Sequence, residues 1–189
     1  MYQKYHTEAL VLGNRERGEA DKVYALLTEK FGLVYARASA VRAESSRMRY
    51  ALQNYSRAHV SLVRGKRGWR VAGAIAANTI SDTENTRTFA RIAALTSRLV
   101  GGEEQNQYLF AALADAHQAL AHTTGSVRAT IEIVCVARIL YALGYMSSEA
   151  HATQIFAHTA YADELLREAE AMRNTLLSSI NKAIAETHL

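Results

Sequence analysis

The feature that most constrains this chain is a change of hydrophobic period near residue 79. Before it, apolar residues come in short, strand-like runs; after it, they recur at i, i+3, i+4 spacing. A strand points alternate side chains to opposite faces, whereas a helix brings residues three and four apart onto one face. The two segments must therefore bury their apolar residues in different ways. This predicts an α+β chain with a strand domain over residues 1–79 and an all-α domain over 80–189.

Within the first segment, residues 7–12 read as a β-rich run ended by Gly13-Asn14, residues 22–28 as a second, and residues 33–41 as a third. Glu29-Lys30-Phe31-Gly32 fits a hairpin connection with glycine supplying a positive φ. Residues 58–63 and 69–75 make another pair around the glycine-flanked turn Arg64-Gly65-Lys66-Arg67-Gly68. Residues 46–52 read as a short helix or turn. Five strands with a short helix between the third and fourth is the layout of an OB-fold β-barrel. An open SH3-like sheet fits the strand count nearly as well. Proline is absent, so turns depend on Gly, Asn and Ser.

In the second segment, Ser81-Asp82-Thr83-Glu84 matches a capping box, followed by the helical stripe Phe89, Ile92, Ala93, Thr96, Leu99 and Val100. Gly101-Gly102 should end that helix and Glu103-Glu104 open the next, where negative charge suits the N-terminal dipole. Leu109, Leu113, His117 and Leu120 share a face. Ser126 is placed to cap a helix over 127–143, which is apolar almost all round and should be the centre of a bundle. Leu165, Leu166, Ala169, Met172, Leu176, Leu177, Ile180 and Ile184 form the stripe of one final helix, as core or in part as a partner surface.

Charge divides where the period changes. Residues 1–80 carry 14 Lys and Arg against 6 Asp and Glu, a net of +8; residues 81–189 carry 8 against 12, a net of −4. A basic domain attracts phosphate backbones because neutralising phosphates releases counterions. Arg37, Arg42, Arg47 and Arg49 flank the third run and the short helix, while Arg64, Lys66, Arg67 and Arg70 line the last hairpin, with Arg57 just before it. These eight (Arg37, Arg42, Arg47, Arg49, Arg64, Lys66, Arg67, Arg70) are the candidate nucleic-acid contacts. In an OB barrel those elements lie around the binding groove, and the arginine fork suits both phosphate and base. Tyr35, Tyr50, Tyr55 and Trp69 are interleaved with them as candidate stacking platforms, although Tyr55 and Trp69 fit barrel core better.

Catalytic patterns are poor, and no enzyme, cofactor or metal site is expected. The chain has no His-Glu-x-x-His run; His151 and His158 lack an obvious carboxylate or thiol partner and read as surface residues. Gly65-Lys66-Arg67-Gly68 is too short for a phosphate-cradling loop of the Walker type, and residues 13–18 lack the pattern too. Cys135 is the single cysteine, excluding an internal disulfide, and sits in an apolar run that reads as buried helix. No apolar stretch reaches the length of a membrane span, and the first residues lack a signal-peptide layout, so a cytoplasmic address is expected.

Several of these segments together resemble the RecO family of bacterial recombination mediators. Thr7-Glu8-Ala9-Leu10-Val11-Leu12, then Gly18-Glu19-Ala20-Asp21-Lys22, then Thr28-Glu29-Lys30-Phe31-Gly32 follow that family's opening in order and spacing. Arg47-Met48-Arg49-Tyr50-Ala51-Leu52-Gln53 resembles its "S-x-x-R-x-x-L-Q" segment, and Leu140-Tyr141-Ala142-Leu143-Gly144-Tyr145 its "L-L-G-Y" helix end. The resemblance implies an OB barrel that binds single- and double-stranded DNA. It also implies annealing of complementary strands and, with RecR, loading of the RecA recombinase onto DNA coated by single-strand-binding protein. The helical domain would help contact RecR and single-strand-binding protein. Many members carry a four-cysteine zinc module after "L-L-G-Y"; here Met146-Ser147-Ser148-Glu149 stands there, so a short form without zinc is expected. Gly18-Glu19-Ala20-Asp21 should shape its loop rather than touch DNA, since its carboxylates would repel phosphate. The rival reading is an OB-fold protein-interaction adaptor with no DNA-binding role; a hydrolase or nuclease has the least support.

Overall fold

Strand-forming runs at the start of the chain become β1 (Lys4–Arg17), β2 (Asp21–Thr28), β3 (Gly32–Ala38), β4 (Arg57–Gly65) and β5 (Gly68–Asn78), with a short helix α1 (Met48–Ala51) between β3 and β4. The computed structural model describes residues 3–43, 46–147 and 154–187. The strands close into a barrel in the order β1-β2-β3-β5-β4, with β4 returning to β1. All neighbours are antiparallel except β3 and β5. This is an OB-fold arrangement, and closure rules out the open SH3-like sheet.

β1 does not stop at Gly13-Asn14, where the glycine reads as a terminator. It pairs with β4 over residues 4–10 and with β2 over residues 9–17, with a bulge between Val11 and Gly13. A strand that serves both neighbours must bend, and a bulge supplies that bend. β3 ends at Ala38, earlier than the run to Val41 suggests. The chain turns at Ala40, which has φ +52 and whose N–H donates to Asp21 at 2.8 Å.

Alternation fills the barrel. Val11, Tyr24, Leu26, Val34, Ala36, Val60, Leu62, Trp69 and Val71 belong to one buried cluster. A fully buried Val or Leu there contributes about 1.5–3 kcal/mol. Trp69 is 5% exposed and packs edge-on to Tyr5 with centroids 5.7 Å apart. Residues 101–105 belong to the same compact unit as residues 1–80. Leu33 N–H donates to the Gly102 carbonyl at 3.1 Å and the Gln105 amide to Glu29 O at 3.2 Å. Gly32, at φ +65, permits this approach: a Cβ would stand 2.2 Å from the Glu104 carbonyl oxygen.

Residues 81–100 and 106–189 form the second unit. It holds α2 (Thr83–Leu99), α3 (Gln107–His122), α4 (Val127–Ala142), a 3-10 turn at Gln154–Phe156, α5 (Asp163–Ala171) and α6 (Arg173–Glu186). Asp82, rather than Ser81, caps α2 by accepting from Asn85 N–H at 2.8 Å. Asn106 caps α3 through Leu109 N–H at 2.8 Å, so Glu103-Glu104 do not open that helix. Ser126 stands at the N-cap of α4 but its side chain makes no capping bond. α4 packs against α2, α3, α5 and α6, the central position its all-round apolarity predicts. The last stripe is split: Met172 ends α5 and begins α6.

Arg138 on α4 is fully buried. Its guanidinium donates to the carbonyls of Ile155 (2.8 Å), Thr159 (2.6 Å), His158 (2.6 Å) and Ala160 (3.3 Å), and lies 4.6 Å from the centroid of Tyr161. A buried cation persists where its donors are satisfied. Here they hold the irregular segment after the 3-10 turn against α4.

Candidate nucleic-acid interface

Strand register assembles the basic residues. Arg15 pairs with Val23, Val23 with Arg37, Arg37 with Arg70 and Arg70 with Val63, so one row crosses all five strands. The neighbours of this row along their strands, among them Tyr24, Ala36, Trp69 and Leu62, fill the barrel core. Alternation therefore turns the row outward.

Two hairpins extend it. Arg17 closes the β1–β2 hairpin opposite Asp21, with Gly18 at φ +66 in the loop. Gly65 pairs with Gly68, leaving Lys66 and Arg67 as the two turn residues of the β4–β5 hairpin, with Gly68 at φ +94. Arg17, Arg37, Lys66, Arg67 and Arg70 line a cleft of about 310 Å³ together with Val63, Gly65, Gly68 and Trp69. Five cations and no carboxylate form its wall.

Asp21 acts from beside the cleft. Its Oδ2 accepts from Arg37 Nε at 2.8 Å and also from Nη2, while Oδ1 accepts from Ala40 N–H. The Ala40 N–H and then the Arg37 guanidinium hold its carboxyl below the ordinary value of 3.8. Arg37 is thus oriented and partly neutralised, and its side chain is still 40% exposed.

The eight residues singled out in the sequence do not form one cluster. Arg37, Lys66, Arg67 and Arg70 come together in the outward cleft. Arg42 and Arg49 line a different cleft of about 420 Å³ with Asn14, Glu16, Lys22, Tyr24, Gln53 and Asn54 among others. Arg47 is exposed at the N-cap position of α1. Arg64 is paired with Glu103 at 3.2 Å and lies over Trp69, 5.3 Å from the ring centroid, because its register places it opposite that inward residue. Arg57 is half-buried in an ion pair with Glu8. Arg17 belongs to the cleft and was not singled out. Its signal was the Arg15-x-Arg17 alternation, which counts only if β1 continues past Gly13.

Stacking capacity also moves. Trp69 is core, and Tyr55 is half-buried at φ +66. Tyr35 is 56% exposed, two residues before Arg37 on the same outward face of β3. Tyr50 is 57% exposed beside the second cleft.

Among the described residues no group of three or more His, Cys, Asp and Glu could hold a metal. Cys135 is buried and burial pushes its thiol up to about 12, so it makes a poor nucleophile. One cysteine cannot form a four-thiolate zinc module. Ser148, Glu149 and His151 lie outside the described residues, and His158 is exposed. No described helix is long and apolar enough to cross a membrane.

A family model described as "Recombination protein O N terminal" matches residues 1–71. The DNA repair protein RecO of Desulfitobacterium hafniense (strain DSM 10664 / DCB-2) is 39% identical over 62 residues, 33% of this chain and 23% of that protein. The DNA repair protein RecO of Pelotomaculum thermopropionicum is 30% identical over 130 residues, 62% of this chain and 47% of that protein. That of Dehalococcoides mccartyi is 32% identical over 91 residues, 48% of this chain and 35% of that protein. Each match spans less than half of the relative's length. The matched segment contains most of the closed barrel and its outward basic row, and over that segment the chain is similar to the N-terminal domain of RecO proteins.

Proposed function

We propose that this chain is a DNA repair and recombination mediator. It binds single- and double-stranded DNA, anneals complementary strands and, with RecR and single-strand-binding protein, assists recombinase loading in the cytoplasm. The observation that carries the reading is the outward row of Arg15, Arg37 and Arg70, extended by Arg17, Lys66 and Arg67 at two hairpin tips. Such a row follows a sugar–phosphate chain, whereas a small anion needs only one or two cations. Annealing requires no bond to be made or broken in either strand. Cations that hold a strand lower the repulsion that opposes pairing, which grows as salt falls. The helical unit, net acidic in sequence, is the part suited to the protein partners.

The test is the salt dependence of binding to a single-stranded oligonucleotide. Log K should fall linearly with log salt at roughly −0.7 per phosphate contact, and K66A/R67A/R70A should flatten the slope by roughly 2. Partner capture with no oligonucleotide shift at low salt would instead establish the adaptor reading.

A further inference from the structure

Beyond its bulge, the β1–β2 ribbon has two faces, and each carries cations. Arg15 and Arg17 share one face with Val23 and the outward row. Asn14 and Glu16, paired with Tyr24 and Lys22, share the other. That second face forms the cleft completed by Arg42, Arg49, Gln53 and Asn54. We propose that this cleft is a second single-strand site, so that one barrel holds two nucleic-acid strands on opposite faces of one ribbon. The proposal rests on the outward row being the first site.

The chemistry of the cleft favours a nucleic acid. Lys22, Arg42 and Arg49 face one carboxylate, Glu16, which lies 3.3 Å from Arg42 Nη1. Arg42 also donates to the Gly18 carbonyl at 3.4 Å, which fixes it at the rim. Asn14 Nδ2 donates to Asn54 Oδ1 at 2.5 Å, which fixes that amide pair; the Asn14 oxygen, the Asn54 NH2 and the Gln53 amide are left to meet base edges, which a phosphate alone would not need. Tyr50 stands exposed beside them with the Arg49 guanidinium 4.7 Å from its ring centroid and 2.7 Å from its hydroxyl. A ring backed by a cation is a stacking platform that accepts any base. An acidic peptide would use the cations but leave the amides and the ring without a role. A strand following the outward row cannot reach this cleft without rounding the hairpin tip, so the two faces suit separate strands.

The test counts oligonucleotides on the whole chain. With oligothymidylate of about eight nucleotides, within the usual span of one OB barrel, titration calorimetry at low salt should give two per chain. R49A/Y50A should give one and anneal complementary oligonucleotides about tenfold more slowly. R49K/Y50W keeps the charge and the ring and should retain both strands, which separates loss of the site from loss of folding. One oligonucleotide on the native chain, an R49A/Y50A chain that still takes two, or preferential displacement by a poly-glutamate peptide would overturn the proposal. If R49A/Y50A loses one strand and K66A/R67A/R70A loses none, this cleft binds a strand but the outward-row reading falls, and the two-faced arrangement falls with it. The reverse pattern removes the second site alone.

Discussion

Arg70 in the barrel and Arg138 in the helical unit carry the same guanidinium and use it in opposite ways. Arg70 is exposed on an outward row beside other cations. Arg138 is fully buried and spends its donors on four backbone carbonyls of its own unit. The difference is one of unmet hydrogen bonds. In the barrel, strand pairing satisfies the backbone, so side-chain cations remain available to a ligand. In the helical unit, the segment after residue 154 has no ladder to satisfy its carbonyls, and the side chain takes that place. Net charge therefore says less about binding than whether the local backbone already has partners.

The sharpest way to break this comparison is Arg138→Met. It keeps much of the volume and leaves buried carbonyls unpaired, so we expect a loss of about 3 kcal/mol or more in urea unfolding. The salt slope for oligonucleotide binding should stay unchanged. A stable variant, or one with altered slope, would show that the two arginines are not used differently.

A smaller effect separates the aromatics of the barrel. Tyr35→Ala should weaken oligonucleotide binding by about 1–3 kcal/mol, the usual worth of one stacked base. Phe31→Leu, a change among the rings packed on the barrel core and outside the cleft lining, should leave affinity as it is. Equal effects in a fluorescence titration would mean that exposure does not decide which ring meets the ligand.

The smallest effect concerns Asp21. Its native carboxyl is held low by the Ala40 N–H and Arg37, so its contribution to stability is present above the ordinary value of 3.8. It is lost as pH falls through the depressed native value. Melting temperature followed from pH 5 downward should therefore drop more steeply for the native chain than for Asp21→Asn. Parallel curves would remove Asp21 as the group that orients Arg37.

Local patterns that agree with their surroundings were legible in the sequence, and those overridden by distant partners were not. The β4–β5 turn could be read because Gly65 and Gly68 set its geometry within four residues. β1 could not be followed past Gly13, because its continuation is set by pairing with β2 on one side and β4 on the other. That misplaced end hid Arg17 and put Arg42 and Arg49 in one group with Arg37. Their separation is a matter of ribbon face, which depends on register and not on proximity in sequence. Arg138 was hidden in another way: an arginine in an apolar run gives no sign that carbonyls some twenty positions away will surround it. The break at Met172 leaves the helical stripe unchanged and could not be seen in it.

Gly32 and its close contact with Glu104 have a consequence for how the barrel can be handled as a part. The polypeptide leaves the strands at residue 80 and comes back at 101–105 to clasp the β2–β3 corner, after a helical detour. The first eighty residues are therefore not a detachable cassette. A graft of this barrel onto another protein would have to carry the returning loop with it, and any side chain larger than hydrogen at position 32 would push that clasp off.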